Sequence, residues 1–211
     1  MKETGIIMSG SHPVDILEGR KTQTRRVIKG LPNWVNAVSI ILAPQGLFGF
    51  GEIKGEVKGR WFRDSFKCPY GQVGDRLWVK ETFALRNDGK QVLHKAGYED
   101  IVKALDLQKF IKERGLPALN IKWTSPLFMS RCDSRITLEI TGLRVERLQE
   151  ITEEDAEAEG EGWSGVGDGE NYDVCSAIEN YAHLWDSLNA KRGYGWEKNP
   201  WVWVIEFKIL Q

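Results

Sequence analysis

Residues 20–26 include a lysine, a threonine and three arginines in a pattern that could do chemistry. Lys21 and Thr24 are three positions apart, so in a helix or a tight turn they would share a face, with the amine close to the hydroxyl. Such a pair can act as a base and its nucleophile. Arg20, Arg25 and Arg26 surround them, and planar guanidinium groups suit phosphate oxygens. The alternative is a solvated basic turn in which Thr24 caps a helix.

The elements around this segment must hold it in place. Pro13 and Gly19 predict a short helix that ends directly before the basic residues. Stretches rich in β-branched and aromatic residues predict five strands. These are Val35 to Leu42, Leu47 to Ile53, Arg76 to Phe83, Arg135 to Val145 and Trp201 to Ile209.

Helices are predicted between these strands. The spacing of apolar residues predicts one helix from Tyr98 to Arg114 and another from about Asp173 to Ala190. Thr152 predicts the start of a shorter helix, with Asp155 as a capping acid and Gly160 as its end. Strands with a few inserted helices predict an α+β fold built on a small mixed β-barrel.

The composition indicates a single domain and excludes several classes of protein. The chain has 211 residues, of which 41% are apolar, and no Pro/Ser-rich linker divides it. No apolar run approaches the roughly 18 residues of a membrane span, and the first ten residues lack the apolar core of a signal peptide. We therefore expect a cytoplasmic protein with no membrane partner. Three scattered cysteines and three histidines predict neither a disulfide framework nor a metal site, and no cofactor is expected.

The charges are segregated along the chain, although the net charge is only -1. No Lys or Arg lies between Arg147 and Lys191, whereas twelve acidic residues do. The rest of the chain is therefore strongly basic, which suits a polyanion such as RNA. The alternative is that the charges only keep the protein soluble.

The basic segment resembles the signature of the ASCH domain family, a PUA-like β-barrel superfamily linked to RNA and modified bases. The family pattern Gly-x-Lys-x-x-Glu-x-Arg falls on Gly19, Lys21, Thr24 and Arg26, with threonine in the position of the common glutamate. The same threonine is found in ASCH enzymes that hydrolyse 4-acetylcytidine with a lysine, a threonine and a glutamate. The resemblance implies that Lys21 and Thr24 are two of these three residues.

A second segment supplies the third residue of that set by resemblance. Residues 151–159 are similar to the family stretch Leu-Thr-Glu-x-x-Ala-Glu-x-Glu, whose last position matches Glu159. Residues 74–81 and 134–139 resemble blocks of the larger ASCH proteins of phages and prophages. The resemblance thus implies one PUA-like domain over residues 1–211, with an insertion roughly within 86–125. The alternative for Glu159 is one carboxylate among many on a solvated helix face.

The resemblance implies a metal-independent amidohydrolase that acts on an acylated nucleoside such as 4-acetylcytidine. Lys21 would take the proton of Thr24, Glu159 would protonate the leaving amine, and backbone amides near Gly19 would bind the oxyanion. Two alternatives stay open, namely a non-catalytic module that binds RNA or a modified base, and a ribonuclease. In each case the partner is RNA or a modified nucleoside.

Charge and aromatic character predict the residues that would hold the substrate. Arginines bind phosphate, and aromatic rings stack on bases. Most of the nine tryptophans are predicted to be core residues, but Trp78 lies between Arg76 and Lys80 and is predicted to stack on a base. The predicted substrate- or phosphate-binding residues are Arg20, Arg25, Arg26, Arg76 and Trp78.

Overall fold

The structure, a computed structural model, describes residues 1–31, 39–43, 47–51, 65–85, 92–98, 121–162, 164–166 and 173–210. The strands are β1 (Glu3–Ile7), β2 (Gln23–Val27), β3 (Ser39–Ala43), β4 (Leu47–Gly51), β5 (Ser65–Phe66), β6 (Arg76–Lys80), β7 (Phe83–Leu85), β8 (Val92–His94), β9 (Thr137–Arg147), β10 (Ser164–Val166), β11 (Asp173–Cys175) and β12 (Trp201–Leu210). The α-helices are α1 (His12–Leu17), α2 (Glu153–Ala158) and α3 (Ala177–Asn189). Short 3₁₀ turns span Pro126–Phe128, Arg131–Asp133, Leu148–Glu150, Ala190–Arg192 and Trp196–Lys198.

Five strands form a mixed sheet in the order β1-β6-β9-β12-β2. β1 is parallel to β6, and the other neighbouring strands are antiparallel. The predicted last strand is confirmed as β12, and β9 corresponds to the strand predicted from Arg135, although it runs from Thr137 to Arg147. The strand predicted from Arg76 to Phe83 is divided into β6 and β7.

The two faces of β12 belong to two apolar cores, because successive side chains of a strand point to opposite sides. Trp203, Ile205 and Phe207 lie in one core together with residues of β1, β6 and β9. Val202 and Val204 lie in the other core, against α2 and α3. The apolar stripe of α3 therefore covers one face of the central sheet.

Three smaller sheets accompany the central one among the described residues. A three-stranded sheet has the order β3-β4-β5, and β7 pairs with β8 and β10 with β11. The Phe48 ring of β4 meets the Trp203 ring edge to face, with 4.8 Å between the ring centroids. This contact packs the three-stranded sheet against the core that Trp203 shares with β1.

The two helices predicted beside the site are confirmed. Pro13 lies in the first turn of α1, and Gly19 follows its end with a φ of 76°. Thr152 accepts a hydrogen bond from the backbone N–H of Asp155 and so caps α2.

The start of α3 differs from the prediction. The helix predicted from about Asp173 begins at Ala177, and residues 173–175 form β11. Ser176 accepts a hydrogen bond from the Glu179 backbone N–H, and the Glu179 carboxylate accepts one from the Ser176 backbone N–H. This capping box fixes the helix start at Ser176.

The predicted barrel is not closed among the described strands. β1 and β2 are the two edges of the central sheet, and no backbone hydrogen bond between described residues joins them. One side chain bridges the edges, because Arg26 Nη2 of β2 donates to the carbonyl oxygen of Ile7 in β1 over 2.6 Å. The α+β class is confirmed, and the barrel stays a prediction.

Part of the predicted fold lies outside the described residues. This applies to most of the helix predicted from Tyr98 to Arg114 and to most of the insertion predicted within 86–125. Of the helices that the structure describes, none combines the length and the apolar character needed to cross a membrane.

Candidate functional site

The basic segment leads into an edge strand, and the prediction of a helix or tight turn is wrong there. Lys21 forms an isolated β-bridge to Glu159, and β2 begins two residues later. Because side chains alternate along a strand, Lys21 and Arg25 share one face of the sheet and Thr24 and Arg26 share the other. Thr24 lies inside a strand, so it does not cap a helix.

Lys21 and Glu159 form a buried ion pair. The Lys21 Nζ donates to Glu159 Oε2 over 2.8 Å and to the Glu159 backbone carbonyl over 2.5 Å. Each residue is 2% exposed. A buried charge is costly unless it is paired, so this contact is a strong constraint on the fold. Two residues that only the ASCH resemblance linked are thus in direct contact.

The end of α2 sets the position of Glu159. The backbone N–H of Thr22 donates to the Ala158 carbonyl over 2.8 Å, next to the bridge between Lys21 and Glu159. Gly160 follows with a φ of 94°, a left-handed conformation that glycine adopts without strain. The chain therefore turns away after Glu159 and leaves its carboxylate beneath β2. The alternative of a solvated carboxylate on a helix face is wrong.

One oxygen of the Glu159 carboxylate has no hydrogen-bond partner. Oε1 is buried without a partner among the described residues, and Arg25 Nη1 lies 3.5 Å from it, too far for a good hydrogen bond. Arg25 Nε and Nη1 likewise have no hydrogen-bond partner in the residues that the structure describes. Buried polar atoms are nearly always hydrogen-bonded, and exceptions occur where a ligand or water binds. Oε1 is therefore the atom of the pair that a ligand can engage.

Carboxylates on the same face of the sheet hold Arg25. Its Nη2 lies 2.7 Å from Asp155 Oδ2 and 3.3 Å from Glu146 Oε2. Gln23 Nε2 donates to Asp155 Oδ1 over 3.1 Å, and Arg144 pairs with both carboxylates. Burial raises the pKa of Asp155, but the charges and hydrogen bonds of these neighbours outweigh it and hold that pKa below its usual value. Arg25 is thus already engaged by acidic groups.

A cavity of about 390 Å³ lies between β2, the end of β1 and α3. This volume is within the range of small-molecule sites. Thr24 and Glu159 both line it although they belong to opposite faces of the sheet, because the cavity follows the open edge of β2. Lys21 does not line the cavity itself, but its ammonium contacts Glu159, which does. The cavity is lined by Ile7, Ser9, His12, Thr24, Arg25, Arg26, Val27, Lys29, Tyr70, Glu159, Tyr181, Leu184, Trp185, Leu188, Asn189, Arg192 and Tyr194.

Two titratable residues of this cavity were not predicted as site residues. Burial, and then the charges of Lys21 and Arg26, lower the pKa of His12 to about 3, so its imidazole is neutral at pH 7. Burial, and then the charge of Glu159, raise the pKa of Tyr181 well above its usual value, so its phenol stays protonated. Both side chains can hydrogen-bond a neutral base. Tyr181 belongs to the apolar stripe of α3, which gave no signal of a role beyond packing.

Arg25 and Arg26 line the cavity, as their predicted role requires, and Arg20 does not. The Arg26 Nε is buried without a hydrogen-bond partner among the described residues. Arg20 has a side chain that is 54% exposed and lies 2.6 Å from Asp15 Oδ1. It lines a second cavity of about 510 Å³, whose lining also includes Met8 and residues of α1.

Arg76 and Trp78 lie on β6, outside the lining of the cavity beside Glu159. Arg76 Nη1 lies 3.7 Å from Glu3 Oε1 of the neighbouring strand. The Lys80 ammonium lies over the Trp78 ring, 5.3 Å from its centroid. Their role in substrate binding stays a prediction.

The backbone amides near Gly19 are already occupied, so the prediction that they bind an oxyanion is wrong. The Gly19 N–H donates to the Ile16 carbonyl, and the N–H groups of Arg20 and Lys21 both donate to the Asp15 carbonyl. Any oxyanion donor must come from another part of the site.

The open edge of β2 offers such a donor. Alternate residues of an antiparallel strand direct their backbone groups to the neighbouring strand. The Thr22 carbonyl accepts a hydrogen bond from the Phe207 N–H. The register therefore directs the backbone groups of Thr24 and Arg26 towards β12 as well, and the backbone N–H of Arg25 points away from β12. No backbone carbonyl among the described residues accepts the Arg25 N–H. This N–H directly follows Thr24, as the oxyanion donor follows the nucleophile in several hydrolases.

The described residues contain no group of three or more His, Cys, Asp or Glu side chains placed to hold a metal ion. All three cysteines are free thiols, with Cys68 buried and Cys132 exposed. The side chains at the cavity include the ion pair of Lys21 and Glu159, the Thr24 hydroxyl and arginines.

No family profile and no curated protein sequence matches the chain. Among solved structures, it is similar to the ASCH domain from Lactobacillus crispatus JV V101, with 13% sequence identity. The alignment covers 99% of this chain and 79% of that one, with a TM-score of 0.38. At this TM-score the two folds are not shown to be the same.

Proposed function

We propose that the protein is a metal-independent amidohydrolase that acts on an acylated nucleoside such as 4-acetylcytidine, as the resemblance of its motif to ASCH enzymes implies. One observation carries this proposal. Glu159 lines the same nucleoside-sized cavity as Thr24, and its carboxylate holds the Lys21 ammonium at 2.8 Å. A lysine and a hydroxyl from one segment and a carboxylate from a distant one are the groups that the proposed hydrolysis uses.

The first step prepares the base. Lys21 must lose a proton before it can accept one in the next step, and Glu159 Oε2 is in direct contact with its ammonium. In the proposed reaction this proton moves to Glu159 Oε2, which leaves an amine and a protonated carboxyl for the next step.

The second step forms an acyl-enzyme. As the Thr24 oxygen attacks the acyl carbonyl carbon, its proton passes to Glu159 Oε1, because Thr24 and Glu159 line the same cavity, and the proton on Oε2 returns to the Lys21 amine. The Arg25 N–H stabilises the oxyanion, and the carboxyl proton of Glu159 passes to the exocyclic nitrogen as the C–N bond breaks. The free nucleoside leaves, Thr24 carries an ester, and Lys21 and Glu159 return to their charged forms.

The third step releases the acid. Water attacks the carbonyl carbon of the Thr24 ester and gives a proton to the Glu159 carboxylate, and the bond between this carbon and the Thr24 oxygen breaks as Glu159 passes the proton to that oxygen. One water is consumed, and one carboxylic acid and one nucleoside are formed. The sum of the steps is the hydrolysis of an amide.

Turnover of 4-acetylcytidine tests the proposal. We expect the purified protein to release cytidine and acetate, Thr24→Ala to abolish release, and Thr24→Ser to restore part of it. Thr22→Ala is the matched control, since Thr22 is an exposed threonine just before the same strand. Mass spectrometry of an acid-quenched reaction should find the acyl group on Thr24.

Two results would overturn the enzyme assignment. One is the absence of cytidine release from an intact folded protein. The other is full activity of Thr24→Ala, since the hydroxyl would then have no role in the chemistry. An inactive protein that binds the modified nucleoside equally well with Thr24→Ala would instead be a binding module, which the cationic residues of the cavity also suit. Cleavage of RNA that depends on Lys21 would favour the ribonuclease.

A further inference from the structure

Three cations line the cavity without being neutralised by a carboxylate of the described residues. Within the described part of the chain, Arg26 hydrogen-bonds the Ile7 carbonyl and the Met8 sulfur, and its Nε has no partner there. The exposed side chains of Lys29 and Arg192 form no ion pair or hydrogen bond within the described part of the chain.

The other charges of the cavity are already balanced. Arg25 is paired with Asp155 and Glu146, and Glu159 is paired with Lys21. Of the described residues that line the cavity, Glu159 alone carries a carboxylate. An uncharged acylated nucleoside would leave the three remaining cations without a counterion, whereas a ligand with a phosphate would supply one.

The cations come from two elements on different sides of the cavity. Arg26 and Lys29 belong to β2 and the residues after it, and Arg192 ends the 3₁₀ turn after α3. Arg192 also stands just beyond the long stretch without Lys or Arg that ends at Lys191. A phosphate between these elements could be held by groups from both, which gives it a defined position relative to Glu159 and Thr24.

We infer that the substrate is a phosphorylated nucleoside rather than a free one, with its phosphate held by Lys29, Arg192 and Arg26. This inference rests on the proposed function for the chemical step only, because the binding of a phosphorylated nucleoside can be measured without turnover. The acylated base would lie beside Glu159 and the phosphate at the rim of the cavity.

Calorimetric titration with cytidine and with cytidine 5′-monophosphate tests the inference directly. We expect the monophosphate to bind at least about tenfold more tightly, with a preference that shrinks as salt is added. Equal affinity for the two probes, or no detectable binding of the monophosphate, would overturn the inference.

Charge-neutralising variants locate the phosphate. Lys29→Gln and Arg192→Gln should each lower the affinity for the monophosphate by about three- to tenfold and leave the affinity for cytidine unchanged. Lys191→Gln is the matched control, because it removes the same charge from the adjacent exposed residue, which does not line the cavity. Equal losses of affinity in Lys191→Gln and Arg192→Gln would indicate a general electrostatic attraction and contradict the assignment of the phosphate to Arg192.

Two further measurements separate the possible results. If 4-acetylcytidine and its 5′-monophosphate are hydrolysed with the same kcat/KM, the phosphate inference fails and the proposed function stands. If neither is hydrolysed but the monophosphate is preferred in binding, the phosphate inference stands and the proposed function fails. Competition by a cytidine-containing RNA tetranucleotide then distinguishes RNA from a free mononucleotide as the source of the phosphate.

Discussion

Two buried carboxylates of this protein have opposite hydrogen-bonding states. Glu81, which is 1% exposed, receives two hydrogen bonds from Arg135, at 2.9 Å on Oε1 and 3.0 Å on Oε2. Glu159 receives one on Oε2 from Lys21, and its Oε1 has no hydrogen-bond partner among the described residues. Both residues line a cavity, and the cavity beside Glu81 is the larger of the two.

This difference in hydrogen bonding distinguishes the two cavities, and their volumes alone do not identify the functional site. A guanidinium that engages both carboxylate oxygens leaves neither of them without a partner, so the Glu81 pair fits a structural role. A lysine is a single point of attachment, and it leaves one oxygen of Glu159 to act on a substrate. Substitutions at these two carboxylates and their neighbours test the distinction.

The largest effect is expected on turnover. Glu159→Gln should lower kcat for 4-acetylcytidine by about 10²- to 10⁴-fold, because the amide cannot pass a proton to the leaving nitrogen. Glu81→Gln is the matched control, and its kcat should stay within about twofold of wild type. Steady-state kinetics measure both, with circular dichroism to establish that each variant is folded. Similar losses in the two variants would remove the functional distinction between the carboxylates.

The second effect is on stability. Lys21→Met should lower the free energy of unfolding by about 3–5 kcal/mol, because it leaves the buried Glu159 without its cation. Arg135→Met should cost less, since the Arg135 side chain is 34% exposed and water can reach the place it vacates. Urea denaturation at pH 7 measures both values. A larger loss for Arg135→Met would mean that solvent access does not decide the cost of breaking these pairs.

The third effect concerns the titration of His12. Its pKa is lowered to about 3 in the folded protein, whereas the unfolded chain takes up the proton near pH 6.5. Stability should therefore be lost as the pH falls from about 6.5 towards 3, by at most about 1.4 kcal/mol per pH unit, and His12→Gln should remove this dependence. Because the Lys21 charge contributes to the lowered pKa, Lys21→Met should raise the His12 pKa, as measured by NMR. A His12 pKa near 6.5 in the wild type would contradict this account.

The smallest effect is expected at β6. Arg76→Gln and Trp78→Phe should change kcat/KM for 4-acetylcytidine by less than about twofold, because neither residue lines the cavity beside Glu159. Thr24→Ala provides the contrast within the same assay, since Thr24 lines that cavity and is the proposed nucleophile. A tenfold loss in Arg76→Gln would instead support the substrate-binding role that the sequence predicts for this arginine.

Much of the local structure could be predicted from the sequence. Pro13 and Gly19 marked the limits of α1, Thr152 and Gly160 marked those of α2, and the alternation from Trp201 onwards marked β12. These signals are local, because caps, turns and strand alternation depend on neighbouring residues. The start of α3 was missed because the Ser176 cap, rather than the apolar stripe, decides where that helix begins.

The arrangement of the basic segment could not be predicted in the same way. Lys21 and Thr24 at a spacing of three read as one face of a helix, but pairing with β12 makes the segment a strand and places them on opposite faces. Whether this segment forms a turn or an edge strand depends on its pairing with β12, which is distant in sequence.

The sequence by itself determined which groups were present: the lysine and threonine of the basic segment, the carboxylate at the end of α2, and the caps and strands that carry them. Only the tertiary structure decided which of them meet. It brought Lys21 and Glu159 into contact, engaged Arg25 with acidic neighbours, and opened a cavity along the unpaired edge of β2. The physical reason is that caps, turns and periodicity depend on residues that are neighbours in sequence, whereas burial and ion pairing depend on how distant segments pack.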